Sequence, residues 1–216
     1  KLYNVFMNEI FFVVGAKATV SEQLSLYCEN NDNKIFYLKE GVENGWNKAS
    51  PISARTNLLQ VKNLFGDVNK AFIIFDSRDF IKYSDFDIES ISKSFDSMFL
   101  GYSYIVTELL KTFYDQTYGE LIFIFSDDEN REKSILENVG ANAFSSLAEN
   151  IAQKKASKQL GITLIKTDSE SLENNMDWLF SYIENSNSKK AATMPKHACK
   201  WVKWGSKSPM ILPFSK

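Results

Sequence analysis

The chain has 216 residues, enough for one domain with a sizeable core, and its 44% hydrophobic and 24% charged content belongs to a globular protein rather than a disordered one. Twenty-five Lys and Arg against 27 Asp and Glu leave a formal charge of −2, which argues against the whole domain binding nucleic acid. Cys28 and Cys199 are too few and too distant for a disulfide framework, so a reducing, cytoplasmic setting is the expectation.

The first apolar run, Ile10-Phe-Phe-Val-Val14 before Gly15, reads as a strand buried on both faces and is too short to span a bilayer. No signal peptide is evident ahead of it, and because the chain starts at Lys1 rather than Met, a few leading residues are expected to be missing. A helix follows over 20–27 (Val20, Leu24, Tyr27) with Ser21 as its expected cap, then an Asn/Asp loop and a second strand over Lys34–Leu38. Residues 40–57, rich in Gly, Asn, Ser and Pro, read mostly as loop, and a helix around Leu58–Phe65 stops at Gly66. A buried strand at 71–75 precedes one long helix over Ile88–Phe113. A strand over 121–125, a helix over 142–159 closed by Gly161, a strand over 162–165 and a helix over 172–183 complete the pattern. Apolar strands alternating with helices predict a three-layer α/β/α domain with a doubly wound parallel sheet. No internal repeat is visible.

Several segments carry a family resemblance in the right order. Val14-Gly15-Ala16-Lys17-Ala18-Thr19-Val20-Ser21 stands where a Thr-Gly-x-x-x-Gly-Ile-Gly turn would follow the first strand. Phe65-Gly66 precedes the third strand, which ends in Phe75-Asp76-Ser77-Arg78; Gly119 to Ser126 forms a serine-terminated strand; Gly161-Ile162 opens the next. Up to about Ile183 the chain thus resembles the short-chain dehydrogenases/reductases, of the 3-oxoacyl reductase type. The resemblance implies a Rossmann-like domain over 1–185, abbreviated between strand 2 and the Phe65 helix, with the family's second helix reduced to the loop from Gly41 to Pro51. It places Met98, Ser126, Val139 and Ala143 at the family's catalytic Asn, Ser, Tyr and Lys. Only Ser126 keeps its type, and a Val and an Ala cannot donate or hold a proton. A lone serine at a strand end also reads as a turn hydroxyl.

The cofactor elements depart together. Of the turn's glycines only Gly15 survives, and Thr19 and Ser21 add side chains where phosphates would sit. Lys39 and Glu40 are a mixed signal for ribose; the family's Asn-Asn-Ala-Gly and Pro-Gly are absent around Asp76 and around Thr167–Glu170. The expectation is a non-catalytic subunit or scaffold without its own NAD(P) site, joined to itself or to an active paralogue through the two long helices. One alternative is an NAD(P)-dependent oxidoreductase with a site rewired around Ser126 and nearby carboxylates.

Asp127, Asp128, Glu129, Glu132 and Glu137 could do acid–base work or hold Mg²⁺, but read better as a solvated loop and an acidic helix start. His197 and Cys199 are too few for a zinc site, so no metal is expected. Residues 186–216 form a basic segment (Lys189, Lys190, Lys196, Lys200, Lys203, Lys207, Lys216) with Trp201 and Trp204 among the lysines. It is expected to pack on the domain or a partner; a second alternative makes it an anion-surface module for nucleic acid or lipid.

Overall fold

The computed structural model describes residues 9–41, 45–83, 85–128, 131–157, 159–174, 176–189 and 200–206. Ile10–Val14 forms β1, Ala18–Asn30 α1, Lys34–Leu38 β2, Pro51–Phe65 α2 and Lys70–Asp76 β3, which runs into a 3₁₀ turn at Ser77–Phe80. Ile88–Phe95 is α3, Gly101–Asp115 α4, Gly119–Ser126 β4, Ile135–Lys155 α5 and Leu160–Thr167 β5. Ser169–Asn174 is α6, Met176–Lys189 α7 and Val202–Lys203 a short β6. The six strands among the described residues are all parallel, in the order β2-β1-β3-β4-β5-β6.

The continuous apolar runs are explained by cover on both faces of the sheet. Phe12, Val14, Ile73, Phe75, Phe123 and Phe125 point toward α2, α4 and α5, meeting Leu58, Ile105, Leu109 and Phe144. Their neighbours Phe11, Val13, Phe72, Ile74, Ile122 and Ile124 point the other way, toward Val20 and Leu24 of α1 and Met176 and Leu179 of α7. The result is the doubly wound, three-layer arrangement expected. The chain goes from β1 outward to β2, then returns through α2 to β3 on the far side of β1, so one helix makes the whole crossing and β2 stands at the edge.

Several boundaries differ from the sequence reading. The loop expected over 40–57 ends at Ser50, whose side chain accepts from the Ser53 N–H, with Pro51 at the first helical position. Ser-Pro is a helix start, and Ala54, Asn57, Leu58 and Val61 make the buried stripe. α1 begins at Ala18, so Ser21 lies inside it rather than capping it; the cap position is Lys17, which makes no side-chain cap bond. The long helix expected over 88–113 runs through, with a π-helical turn, Asp96–Leu100, between α3 and α4. α5 stops at Lys155, and Gly161 lies within β5 rather than closing the helix. Over the helix expected at 172–183 the described residues are helical, as α6 and α7, on either side of residue 175, which lies outside the described residues.

Candidate functional site

Because β1 has β2 on one side and β3 on the other, the crevice beyond the carboxyl ends of β1 and β3 is the sheet's topological switch point, where open α/β sheets bind ligands. Gly15 turns the chain there with φ +78°, and a Cβ on it would lie 2.1 Å from the Ile74 carbonyl oxygen and 2.8 Å from the Tyr102 hydroxyl. That hydroxyl donates to the Ile74 carbonyl at 2.8 Å. The glycine therefore lets the β1–α1 turn press against β3's own backbone.

Two residues on, Lys17 crosses to β3. Its Nζ lies 2.7 Å from Asp76 Oδ2 and 3.4 Å from Asp79 Oδ1. Arg78 takes the same Asp76 from the other side, Nη2 to Oδ2 at 2.9 Å, while its backbone N–H donates to Oδ1. Asp76 is only 2% exposed. Burial pushes its carboxyl up, but the bonds from Arg78 and Lys17 outweigh that and hold it below the ordinary carboxylate value. Asp79 goes the other way, raised by burial that Lys17 only partly offsets.

This Lys17–Asp76–Arg78 bridge divides the crevice. On the α1 side a cleft of ≈ 840 Å³ runs past Gly15, Lys17, Ser21, Tyr37, Lys39 and Asp79. On the β5 side a more enclosed cavity of ≈ 690 Å³ is lined by Arg78, Asp127, Lys166, Thr167, Trp201 and Trp204 among others. Lys17 borders the first, Arg78 the second, and Asp76 grips both. Beside the end of α3 and the π turn lies a hollow of ≈ 450 Å³ bordered by Trp46 and Lys48. There Lys48 pairs with Glu40 and sits 5.0, 5.5 and 5.9 Å from the ring centroids of Trp46, Tyr102 and Phe80.

The residues singled out in the sequence do not gather at one point. Ser126 ends β4, wholly buried and in register with Asp76 and Thr167. Met98 is buried in the π turn, and a Cβ on Gly140 of α5 would meet its sulfur at 2.0 Å. Val139 is 51% exposed, Ala143 half-buried, and neither borders the cavity beyond Ser126; α5 instead turns Glu137, Gly140, Ala141 and Phe144 inward. Thr19 is exposed, and Ser21 faces the α1-side cleft while its carbonyl accepts from Tyr37 Oη at 2.6 Å.

The acidic stretch is internally matched. Asp127 pairs with Lys133 at 2.6 Å, Glu137 with Arg131 at 2.9 Å, and Glu137 completes a capping box with Ser134. Glu132 is exposed, and Glu129 lies outside the described residues. Among the described residues no group of three or more His, Cys, Asp or Glu could hold a metal ion, and no helix is long and apolar enough to cross a membrane. Of the basic segment, residues 200–206 lie on the domain: β6 pairs with β5, Trp201 Nε1 donates to Glu149 at 2.5 Å, and Trp178 Nε1 to the Ser206 carbonyl at 3.1 Å. Lys190, Lys196, His197, Cys199, Lys207 and Lys216 lie outside the described residues. The Lys17–Asp76–Arg78 bridge was missed; opposite charges at the cap position before α1 and at the end of the next inner strand are the signal that could have found it.

No protein-family model matches the chain. An uncharacterized protein of Treponema pallidum (strain Nichols) is 25% identical over 167 residues, covering 76% of this chain and 73% of that protein. Among solved structures, a short-chain type dehydrogenase/reductase from Mycobacterium marinum matches with TM-score 0.56 and 14% identity, over 76% of this chain and 74% of that one. The Bacillus cereus enoyl-acyl carrier protein reductase with NADP+ and an indole naphthyridinone matches with TM-score 0.58 and 11% identity, over 74% and 72%. The NADPH-dependent 3-quinuclidinone reductase of Rhodotorula rubra matches with TM-score 0.53 and 11% identity, over 76% and 70%. At these identities the likeness is one of fold, that of the short-chain dehydrogenases/reductases.

Proposed function

We propose that this chain is a non-catalytic relative of the short-chain dehydrogenases/reductases, acting by association as a subunit or scaffold rather than by hydride transfer. The observation that carries this reading is the Lys17–Asp76–Arg78 bridge across the switch point. A dinucleotide lying along the strand ends would have to pass where a buried carboxylate already holds two cations, and displacing them would strand its charge. Gly15 is occupied in close packing with Ile74, and the Thr19 and Ser21 substitutions remove the small residues that let a pyrophosphate approach. These residues do not fit the cofactor.

The association half of the reading has its own support. Phe86 just before α3 and Ile88, Ile91 and Phe95 along it are exposed, as are Ile135 and Val139 on α5. Asp85 ties the two helices together by accepting from the Ile135 and Leu136 N–H groups at 3.0 and 2.8 Å. An apolar surface of this kind on two adjacent helices fits a helix-to-helix contact between subunits, with another copy or a dehydrogenase paralogue.

The alternative of an oxidoreductase with a rewired site draws on the open ≈ 840 Å³ cleft beside β1 and on the NADP+ in the Bacillus cereus neighbour. One titration separates the two. With NAD(H) and NADP(H) at millimolar concentration, the melting temperature and nucleotide fluorescence are expected not to move; a saturable shift with either would reject the non-catalytic reading.

A further inference from the structure

The helices from α1 to α4 each expose charged side chains: Glu22 and Glu29, Arg55 and Lys62, Glu89 and Lys93, Lys111 and Asp115. α5 does not. From Ile135 to Gln153, about five turns, its exposed residues are all uncharged: Ile135 and Val139, and a ladder of Asn138, Asn142, Ser146 and Asn150. The two acidic residues in that stretch are turned away and bonded, Glu137 to Arg131 and Ser134, Glu149 to Trp201 and Ser145. Exposed charge returns only with Lys154 and Lys155 at the helix end. Water alone does not favour such a face. Asn and Ser are poorer helix formers than the Glu and Lys that suit a solvated helix, so the ladder weakens α5 unless something engages it. Loss of charge is instead what marks the centre of a protein–protein contact.

Two features make a second copy of this chain the occupant. A two-fold contact sets a surface against itself, so a charge near the axis would meet its like, and this face has none. A carboxamide both donates and accepts, so an asparagine ladder can satisfy an identical ladder, which a row of carboxylates or ammonium groups could not do. Ser146 stands at the middle of the stretch. Antiparallel pairing about it brings the Asn142 amide to Asn150 of the second copy, whose Nδ2 donates to its own Ser146 carbonyl and whose Oδ1 is left to accept. With Phe86, Ile88, Ile91 and Phe95 beside it, the surface offers on the order of 1,000 Å², against the roughly 800 Å² per partner of a standard stable interface.

We propose that α5 pairs antiparallel with α5 of a second copy across a two-fold axis near Ser146, flanked by the apolar side chains of α3. This rests on the association reading above and names its partner. Sedimentation velocity of the purified full chain tests it, together with Ser146→Glu and Ser146→Lys, exposed changes to better helix formers. The unaltered chain is expected to sediment as a two-chain particle. Each variant alone sets like charges together at the axis and is expected to weaken the pair at least tenfold, with an unchanged helical signal in circular dichroism. An equal mixture of the two variants sets Glu against Lys and is expected to restore the particle, which loss of folding could not do. An unaltered chain that stays monomeric, variants that leave the particle intact, or a mixture that fails to restore it would overturn the proposal. A particle completed by a different subunit would overturn it too, while leaving the association reading standing. Saturable binding of NAD(H) or NADP(H) rejects the non-catalytic reading and leaves the two-chain particle in place.

Discussion

Two side-chain positions make the switch point what it is. At Gly15 an added methyl would meet the Ile74 carbonyl at 2.1 Å in a backbone conformation that disfavours L side chains. Gly15→Ala is therefore expected to destabilise the domain by about 3 kcal/mol or more, read as a fall in chemical-denaturation midpoint. At Asp76 the folded-state pKa is depressed, so its contribution is fully present above the ordinary carboxylate range and is lost as pH falls through the depressed value. Asp76→Asn is expected to cost about 1–3 kcal/mol near neutrality and to flatten the fall in stability below about pH 4. Denaturation curves across pH 2–7 check both halves of that statement. Cys28 is chemically quiet by the same logic, because burial pushes its thiol up to about 12 and leaves almost no thiolate at neutral pH.

The elements divide by how their ends are marked. α2 opens on a polar cap and a proline, so Ser50→Ala is expected to cost about 1 kcal/mol and lower the melting temperature by about 2–4 °C. That start was hidden from sequence reading because only Ala54 in its first turns contributes an apolar position to the stripe, and Ser, Asn and Pro read equally well as loop. The strands were legible because both faces are buried, which writes an unbroken apolar run; β1 and β2 have the bounds expected. Helix register was harder. The glycine expected to close the helix does not do so: α5 ends at Lys155 and Gly161 sits within the strand. The inward face of α5 is set by small residues, Gly140, Ala141, Ala148 and Ala152, whose weak apolar signal gives little phase information.

At the scale of the whole molecule, alternation of element type was enough to predict a doubly wound parallel sheet, whereas the site depended on charges far apart in sequence. Lys17 and Asp76 are separated by 59 positions, and no local pattern records their meeting. The apolar surface on α3 and α5 belongs to the same scale. Ile91→Asp and Phe95→Asp alter exposed positions, so each is expected to change monomer stability by no more than about 0.5 kcal/mol. Light scattering on size-fractionated protein should show the same variants lowering the particle mass or releasing a co-purifying subunit; an unchanged mass would reject these helices as the contact. A different consequence follows from the place of β2 at the edge of the sheet. With nothing among the described residues laddered outside β2, that strand offers an open row of amides and carbonyls, a template for adding foreign chain. Its brevity and the lysines at Lys34 and Lys39 blunt the template, a protection against self-association in concentrated solution that owes nothing to any ligand.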